Sequence, residues 1–112
     1  MADAEPTIHV CDAAVTLAFS VLGKRWNAMI VSSLGGGPAT FVALRRAVSG
    51  ISDTVLSDRL TELAQAGLVE RTVDPGPPVT VSYALTTSGE GLLPILGQLG
   101  EWAKVNLGAQ AH

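Results

Sequence analysis

A single cysteine and a nearby histidine are the first residues in this sequence whose side chains could carry reactive chemistry. Cys11 is the only cysteine in 112 residues, so one chain cannot form an internal disulfide. The start of a helix favours the thiolate, which reacts with oxidants and electrophiles, whereas the neighbouring Asp12 carboxylate disfavours it. A lone cysteine is also commonly a small buried hydrophobic residue, so Cys11 is a redox-sensing candidate and no more. His9 lies two residues away, but no further ligands accompany the pair, and we assign no metal.

A row of short polar side chains forms a second candidate site, suited to hydrogen bonding with DNA bases. In "GISDTVLSDRLTELAQAGLVER", residues 50–71, leucines at positions 56, 60 and 63 predict an amphipathic helix. Its polar side carries four candidates for contact with base edges: Thr54, Ser57, Asp58 and Thr61. Asp58 can accept a hydrogen bond from a cytosine amino group, but phosphates repel it, and it can instead pair with a nearby arginine. For the whole row, a solvated helix face is the alternative.

Positive charge is concentrated in the middle of the chain, although the net charge is −3. Six of the seven basic residues lie between positions 24 and 71, namely Lys24, Arg25, Arg45, Arg46, Arg59 and Arg71. The same segment contains four acidic residues, so its net charge is +2, and the net charge of the remainder of the chain is −5. This distribution is a weak electrostatic footprint for a nucleic-acid partner.

We expect these basic residues to divide between DNA contacts and structural roles. At least one of Arg45 and Arg46 should bind a phosphate, and the other should form an ion pair. Lys24 and Arg25 open the second predicted helix, where the helix dipole disfavours cations. An anionic partner and ordinary surface charge explain that placement equally well. Arg59 lies beside the leucines, where a structural role is expected.

The elements that would hold these groups run in the order helix, helix, helix, helix, hairpin, helix. Apolar residues at helical spacing predict a first helix from Asp12 to Leu22. They mark a second one at Trp26, Met29, Ile30 and Leu34, which "GGGP" at 35–38 ends. Thr40 can cap a short third helix, and Ser52 or Asp53 can cap the fourth, which Gly67 ends.

The period then changes from helical to alternating, which predicts a β-hairpin and a closing helix. Strands over 69–73 and 79–85 flank "DPGPP", whose glycine and prolines favour a stiff tip. The last helix runs to about Leu107 from a capping box of Thr87 and Glu90, and Pro94 should kink it or lie in its first turn. A short helix, a turn, an amphipathic helix and a hairpin make a winged helix-turn-helix. The predicted fold class is therefore mainly α with a two-stranded β-hairpin wing.

Length and composition fit one compact domain and exclude several other classes. We expect a flexible lead-in over 1–10, one domain over 11–107 and a tail over 108–112. No apolar run approaches the roughly 18–20 residues of a membrane span. The N-terminus lacks the basic start and apolar block of a secretory signal. With one cysteine and no internal disulfide, the expected compartment is the reducing cytoplasm. No phosphate-binding glycine loop or catalytic triad order is present, so we expect neither an enzyme nor a cofactor.

Over about residues 11 to 106, the sequence resembles the HxlR-type winged helix-turn-helix transcriptional regulators. The matching pieces are "C" at 11, "GKRW" at 23–26, "GP", "F" and "LRRA" within 37–47, "GIS" at 50–52, "L", "RL" and "L" within 56–63, "GLVER" at 67–71, "PP", "Y" and "LT" within 77–86, and "GEGLLPIL" at 89–96. Each piece alone is unspecific, whereas their order and spacing together are specific.

The resemblance implies a bacterial DNA-binding homodimer that represses or activates transcription, and we favour repression. The first and last helices would form the dimer interface, through Val15, Phe19, Leu92, Leu96, Leu99 and Trp102. Thr40 and Ser52 join the DNA-contacting set, and the wing would contribute Pro77, Pro78 and Thr80. Some family members sense oxidants through a cysteine near the first helix, which would make an oxidant or small molecule an effector. Two recognition helices entering successive major grooves, roughly 34 Å apart, imply a palindromic operator.

Three departures from the family pattern remove expected DNA-contacting donors. Ala39 and Thr40 follow "GP" where a basic residue is common. Val79 follows the two prolines where the wing often has an arginine, and Asp53 and Thr54 begin the fourth helix in place of basic or glutamine residues. These changes favour modest affinity. The alternative function is therefore a winged-helix module for ligand sensing or protein interaction, with weak or lost DNA binding.

Overall fold

The computed structural model describes residues 7–108, which form six α-helices, one 3-10 turn and three β-strands. The helices are α1 (Ala13–Leu22), α2 (Asn27–Ser33), α3 (Phe41–Ala47), α4 (Asp53–Gln65), α5 (Thr87–Glu90) and α6 (Leu92–Asn106). The strands are β1 (Ala39–Thr40), β2 (Val69–Asp74) and β3 (Thr80–Leu85), and the 3-10 turn over Leu34–Gly36 follows α2. The predicted winged helix-turn-helix is confirmed, with α3 and α4 as the helix-turn-helix and β2–β3 as the wing.

Side-chain caps fix where the helices of this unit begin. Thr40 Oγ1 accepts a hydrogen bond from the Ala43 amide at 3.1 Å, and Ser52 Oγ accepts one from the Val55 amide at 3.2 Å. Ser52 rather than Asp53 is therefore the cap of α4, one of the two predicted alternatives. After α4 the chain turns at Gly67, where φ is +81°, a conformation that glycine adopts without strain.

The sheet contains a third strand that the sequence pattern did not predict. β3 is central: it pairs antiparallel with β2 along the whole hairpin, and on its other side with β1. Ala39 lies opposite Tyr83 and Thr40 opposite Ser82. Two residues are too few to show an alternating pattern, so only the neighbouring strand reveals this one. β1 ties the start of α3 to the wing.

The predicted closing helix is divided in two, and its cap lies one residue earlier than expected. α5 and α6 are separated at Gly91. The N-cap of α5 is Thr86, not Thr87, since the Thr86 hydroxyl accepts from the Gly89 amide at 3.1 Å. The same hydroxyl donates to the Gly67 carbonyl oxygen at 2.6 Å, a tertiary bond that selects Thr86 over its neighbour. Pro94 is the third residue of α6, in the first turn, where its missing amide costs nothing.

The core lies between α2, α3, α4 and the first residue of the wing. Its buried side chains are Ile30, Val31, Leu34, Leu44, Val48, Ile51, Leu56, Leu60, Leu63 and Val69. The three leucines predicted for one side of α4 are all among them. Neither α1 nor α6 contributes a buried residue. Both helices therefore leave apolar side chains uncovered in the isolated chain.

Candidate nucleic-acid interface

The polar side of α4 faces outward, opposite its buried leucines. Thr54, Ser57, Asp58 and Thr61 are all exposed. Thr61 Oγ1 donates to the Ser57 carbonyl oxygen at 3.0 Å, so its hydroxyl can offer only lone pairs to a further partner while that bond persists. Asp58 forms no ion pair within residues 7–108. The structure thus presents the predicted row of short polar groups to whatever lies in front of α4.

The two arginines of α3 differ in their surroundings. Arg45 Nη1 lies 2.9 Å from Asp53 Oδ1 and 3.1 Å from Oδ2, which joins α3 to the first residue of α4. Both side chains are well exposed, so the pair contributes little stability and can open for another anion. In the described part of the chain, Arg46 has no carboxylate partner. The ion pair of Arg45 agrees with the expectation that one of the two arginines has a structural role. The phosphate contact expected of the other stays a prediction.

Glu62 gathers three donors on the flank of α4. Lys24 Nζ lies 2.6 Å from Oε2, while Asn27 Nδ2 and Arg59 Nη1 lie 3.2 and 3.3 Å from Oε1. The Lys24 hydrogen bond, followed by that of Asn27 and by the two positive charges, holds the pKa of Glu62 below its ordinary value. Arg59 thus has the expected structural role. Lys24 is engaged with a carboxylate in the isolated chain, and its DNA contact stays a prediction.

Asn27 is a structural residue that sequence reasoning missed. Its side chain is fully buried, and Nδ2 donates both to Glu62 and to the Val21 carbonyl oxygen at 2.7 Å. This amide connects the end of α1 to α4 through the start of α2. The available signal was one asparagine among the apolar residues of the second helix, and it carries no information about a partner 35 positions away.

Arg25 and Trp26 form a cation–π pair at the turn before α2. The guanidinium carbon lies 4.5 Å from the centroid of the indole ring. Trp26 is half-buried and packs against the core, so the prediction of a core tryptophan is confirmed in part. Stacking on a tryptophan stabilises an exposed cation by roughly 0.5–1 kcal/mol, which gives Arg25 a structural role alongside its proposed DNA contact.

The wing tip carries no cation, and a groove separates its base from α4. Pro77, Pro78 and Thr80 are exposed, and Val79 is 66% exposed. The groove encloses about 490 Å³ and is lined by Ser57, Leu60, Thr61, Ala64, Gln65, Arg71 and Tyr83. Arg71, which sequence reasoning counted among the basic residues without assigning it a role, is the only charged residue in this lining.

The first and last helices present a continuous apolar surface. Phe19 on α1 is 56% exposed, and Leu99 and Trp102 on α6 are 50% and 54% exposed. A groove of about 460 Å³ runs between the two helices, lined mainly by apolar side chains. Of the six residues predicted for a dimer interface, Leu92 and Leu96 are half-buried against the protein's own core. The other four, Val15, Phe19, Leu99 and Trp102, are exposed.

Cys11 lies shortly before α1. Its side chain is exposed, and Sγ lies 3.3 Å from Thr16 Oγ1 and 3.6 Å from the Asp12 carbonyl oxygen. Asp12 Oδ1 accepts from the Ala14 amide at 2.7 Å and caps the helix. Within residues 7–108, His9 and Cys11 belong to no group of three or more potential metal ligands. The same residues include no helix long and apolar enough to cross a membrane.

Comparison with known proteins identifies the family. A family model described as HxlR-like helix-turn-helix matches residues 21–111. The chain belongs to the HxlR family. The resemblance predicted from the sequence motifs is therefore confirmed, and the protein is a DNA-binding helix-turn-helix transcriptional regulator. The predicted domain of residues 11–107 begins before the family match, with α1.

Helix-turn-helix transcriptional regulators of a bacterium are similar to this chain in sequence and in structure. The uncharacterised helix-turn-helix regulator YvaP of Bacillus subtilis is 44% identical over 86 residues, which cover 77% of this chain and 80% of YvaP. The regulator YodB of the same species is 43% identical over 86 residues, or 77% of each chain. The structure of reduced YodB superimposes with a TM-score of 0.77 at 39% identity, covering 85% of this chain and 93% of YodB. The structure of quinone-bound YodB superimposes with a TM-score of 0.73 at 36% identity, covering 83% of this chain and 98% of YodB.

Proposed function

We propose that this HxlR regulator is a cytoplasmic homodimeric repressor that reads a palindromic operator with the polar side of α4. The observation that carries the proposal is the division of α4 into a fully buried leucine side and an exposed row of short polar groups beside the wing. A helix is about 10–12 Å across and fits the major groove, which is about 12 Å wide. Short side chains let the helix axis come close to the base edges.

Dimerisation supplies the second recognition helix. The apolar surface of α1 and α6, uncovered in one chain, is suited to a twofold contact in which each patch meets its copy. Such a dimer holds two α4 helices on one face of the duplex, so that they enter major grooves one turn apart, roughly 34 Å from centre to centre. A twofold protein selects a twofold DNA site, which is why we propose a palindromic operator. Repression follows if that operator overlaps a promoter.

Substitutions on the exposed side of α4 test the recognition surface. Thr54→Ala and Ser57→Ala should each weaken binding to a duplex selected by the wild-type protein from a random-sequence pool, by about 1–3 kcal/mol. Because both side chains are exposed, the melting temperature should not change. Arg46→Ala should instead weaken selected and scrambled duplexes alike and reduce the salt slope by about 1, since phosphates carry no sequence information. Fluorescence anisotropy at several salt concentrations measures all three.

Asp58→Asn is the informative control for the same surface. If Asp58 accepts a hydrogen bond from cytosine, the amide alters the preference at one base pair. If Asp58 repels phosphates, the amide tightens binding to every sequence. Wild-type affinity in all four variants would contradict the proposal, because the polar side of α4 would then face water or a protein.

That outcome would favour the alternative function, a ligand-sensing or protein-interaction module with weak DNA binding. The net charge of −3 and the ion pairs of Lys24, Arg45 and Arg59 support it, because they leave few free cations to attract DNA. Capture of specific DNA sequences from a random pool distinguishes the two functions, since only the repressor enriches a palindrome.

A second role, as an electrophile sensor, is favoured by the exposure of Cys11. We propose that its thiolate adds to a quinone ring carbon and forms a C–S bond. The hydrogen of that carbon then moves to one ring oxygen and a proton from water goes to the other, which leaves a hydroquinone. Support comes from the exposed Sγ beside α1 and from the likeness to YodB, whose structure has been solved with a quinone bound. An adduct at the N-terminal end of α1 would disturb the proposed dimer surface and so lower DNA affinity.

Benzoquinone should weaken DNA binding by the wild-type protein, within the usual range of allosteric coupling of about 5–150-fold. Cys11→Ser should bind DNA as before and not respond. Anisotropy gives the affinity, and mass spectrometry of the intact protein counts the adducts. A complete Cys11 adduct with unchanged affinity would show that the cysteine reacts without regulating.

A further inference from the structure

A positive charge lies on the inner face of the wing, where the strand pattern otherwise places apolar residues. Alternation along β2 puts Arg71 on the same face as Val69 and Val73. Val69 is buried in the core, and Tyr83 lies directly opposite Arg71 on β3. This face of the hairpin looks toward α4. Arg71 is therefore directed into the space between wing and recognition helix.

The groove at this point has the chemistry of a phosphate site. Its polar lining consists of the Arg71 guanidinium, the hydroxyls of Ser57, Thr61 and Tyr83, and the amide of Gln65. No carboxylate lines it, so the positive charge is not neutralised locally. Guanidinium groups bind phosphate oxygens with two parallel hydrogen bonds. The Tyr83 hydroxyl and the Gln65 amide can add donors, whereas the Thr61 hydroxyl already donates to the Ser57 carbonyl oxygen.

Arg71 is also one of the few cations free to bind DNA. Within residues 7–108, four of the seven basic residues have a carboxylate oxygen within 4.0 Å: Lys24, Arg45, Arg59 and Lys104. Arg25 stacks on Trp26. Arg46 and Arg71 have neither kind of partner in this part of the chain. The wing tip, residues 74–80, contains no basic residue that could replace them.

We propose that the groove between α4 and the wing holds a backbone phosphate of duplex DNA, and that Arg71 is the cation that binds it. This inference rests on the proposed recognition by α4. It adds a phosphate contact that fixes the position of α4 on the DNA. The phosphate lies beside Thr61 and Gln65, at the C-terminal half of α4, while Thr54 and Ser57 reach bases nearer its start. The wing thus contacts DNA through the cation at its base, because its tip carries none.

Charge-removing variants at Arg71 and at a remote lysine test this assignment. Arg71→Ala should bind both the selected duplex and a scrambled duplex of equal length about tenfold more weakly, with a salt slope lower by about 1. Arg71→Lys should keep the salt slope and lose part of the affinity, because a lysine cannot bind bidentately. Lys104→Ala removes the same charge from α6 and should bind like the wild type. Arg71 is exposed, so melting temperatures should agree among the four proteins.

The remaining outcomes identify what the groove binds. If the wild type binds DNA and Arg71→Ala binds it equally well, the assignment is wrong while recognition by α4 stands. A loss confined to the selected duplex would also overturn it, because Arg71 would then contact a base. Calorimetry with inorganic phosphate at constant ionic strength tests whether the groove binds a free anion instead. If Arg71→Ala abolishes phosphate binding and leaves the DNA affinity unchanged, the groove is an anion-effector site. If the wild type binds no duplex, the proposed function itself fails.

Discussion

Replacing Leu99 with glutamate should yield a monomeric or aggregated protein that no longer binds its operator. Leu99 is 50% exposed in the isolated chain and lines the apolar groove between α1 and α6. In the proposed dimer this groove is closed by the partner subunit, so a glutamate would be buried there without a positive partner. An unpaired buried carboxylate costs several kcal/mol, and twofold symmetry introduces it twice. Light scattering at micromolar concentration measures the change in mass.

Loss of the dimer should remove operator binding even with α4 intact. A monomer reaches one half-site only, so it forgoes the contacts of the second recognition helix. Lys104→Glu is the matched control, because it adds the same carboxylate on another side of α6, where Lys104 is well exposed. It should stay dimeric and keep its affinity. A wild-type protein that is already monomeric, or a Leu99→Glu variant that remains a dimer, would contradict the proposed interface.

The second large effect is expected from Leu56→Ala, beneath the recognition surface. Leu56 is fully buried among the leucines that attach α4 to the core. Truncating such a leucine removes apolar burial and leaves a cavity, and typically costs about 2–5 kcal/mol. That is a large part of the 5–15 kcal/mol that usually stabilises a domain. Urea unfolding at one fixed protein concentration measures the loss, since dimer stability depends on concentration.

Thr54→Ala, two positions away on the exposed side of the same helix, is the control for Leu56→Ala. Its unfolding free energy should stay within about 0.5 kcal/mol of the wild type, as is usual for surface substitutions, while its DNA affinity falls. The two variants therefore separate the side of α4 that holds the fold from the side that is proposed to read DNA. A stability loss below about 1 kcal/mol for Leu56→Ala would mean that the core collapses around the missing methyl groups.

Most of the fold could be predicted from the sequence, because its signals are local. The spacing of Leu56, Leu60 and Leu63 identifies the buried side of α4, and Gly67 identifies its end. The change from helical to alternating period identifies the hairpin. Each of these signals depends on residues within a few positions of one another, and the structure confirms each one.

Three of the missed features depend on residues far apart in the chain. Strand β1 exists because Ala39 lies beside Tyr83. Thr86 replaces Thr87 as the cap because its hydroxyl also reaches Gly67. Asn27 could not be assigned because its partner Glu62 is on another helix. No local pattern contains such pairs.

For the proposed DNA site, the sequence by itself determined which side chains are available, and the tertiary structure decided which are free. The row from Thr54 to Thr61 follows from helical periodicity, which fixes directions around one helix axis. Which cations can meet a phosphate depends on where the carboxylates lie in space. Folding brings Asp53 to Arg45 and Glu62 to Lys24, and it leaves Arg71 facing a groove without an acid. Charge pairing acts over a few ångströms of space, whatever the separation along the chain, so only the folded protein reveals it.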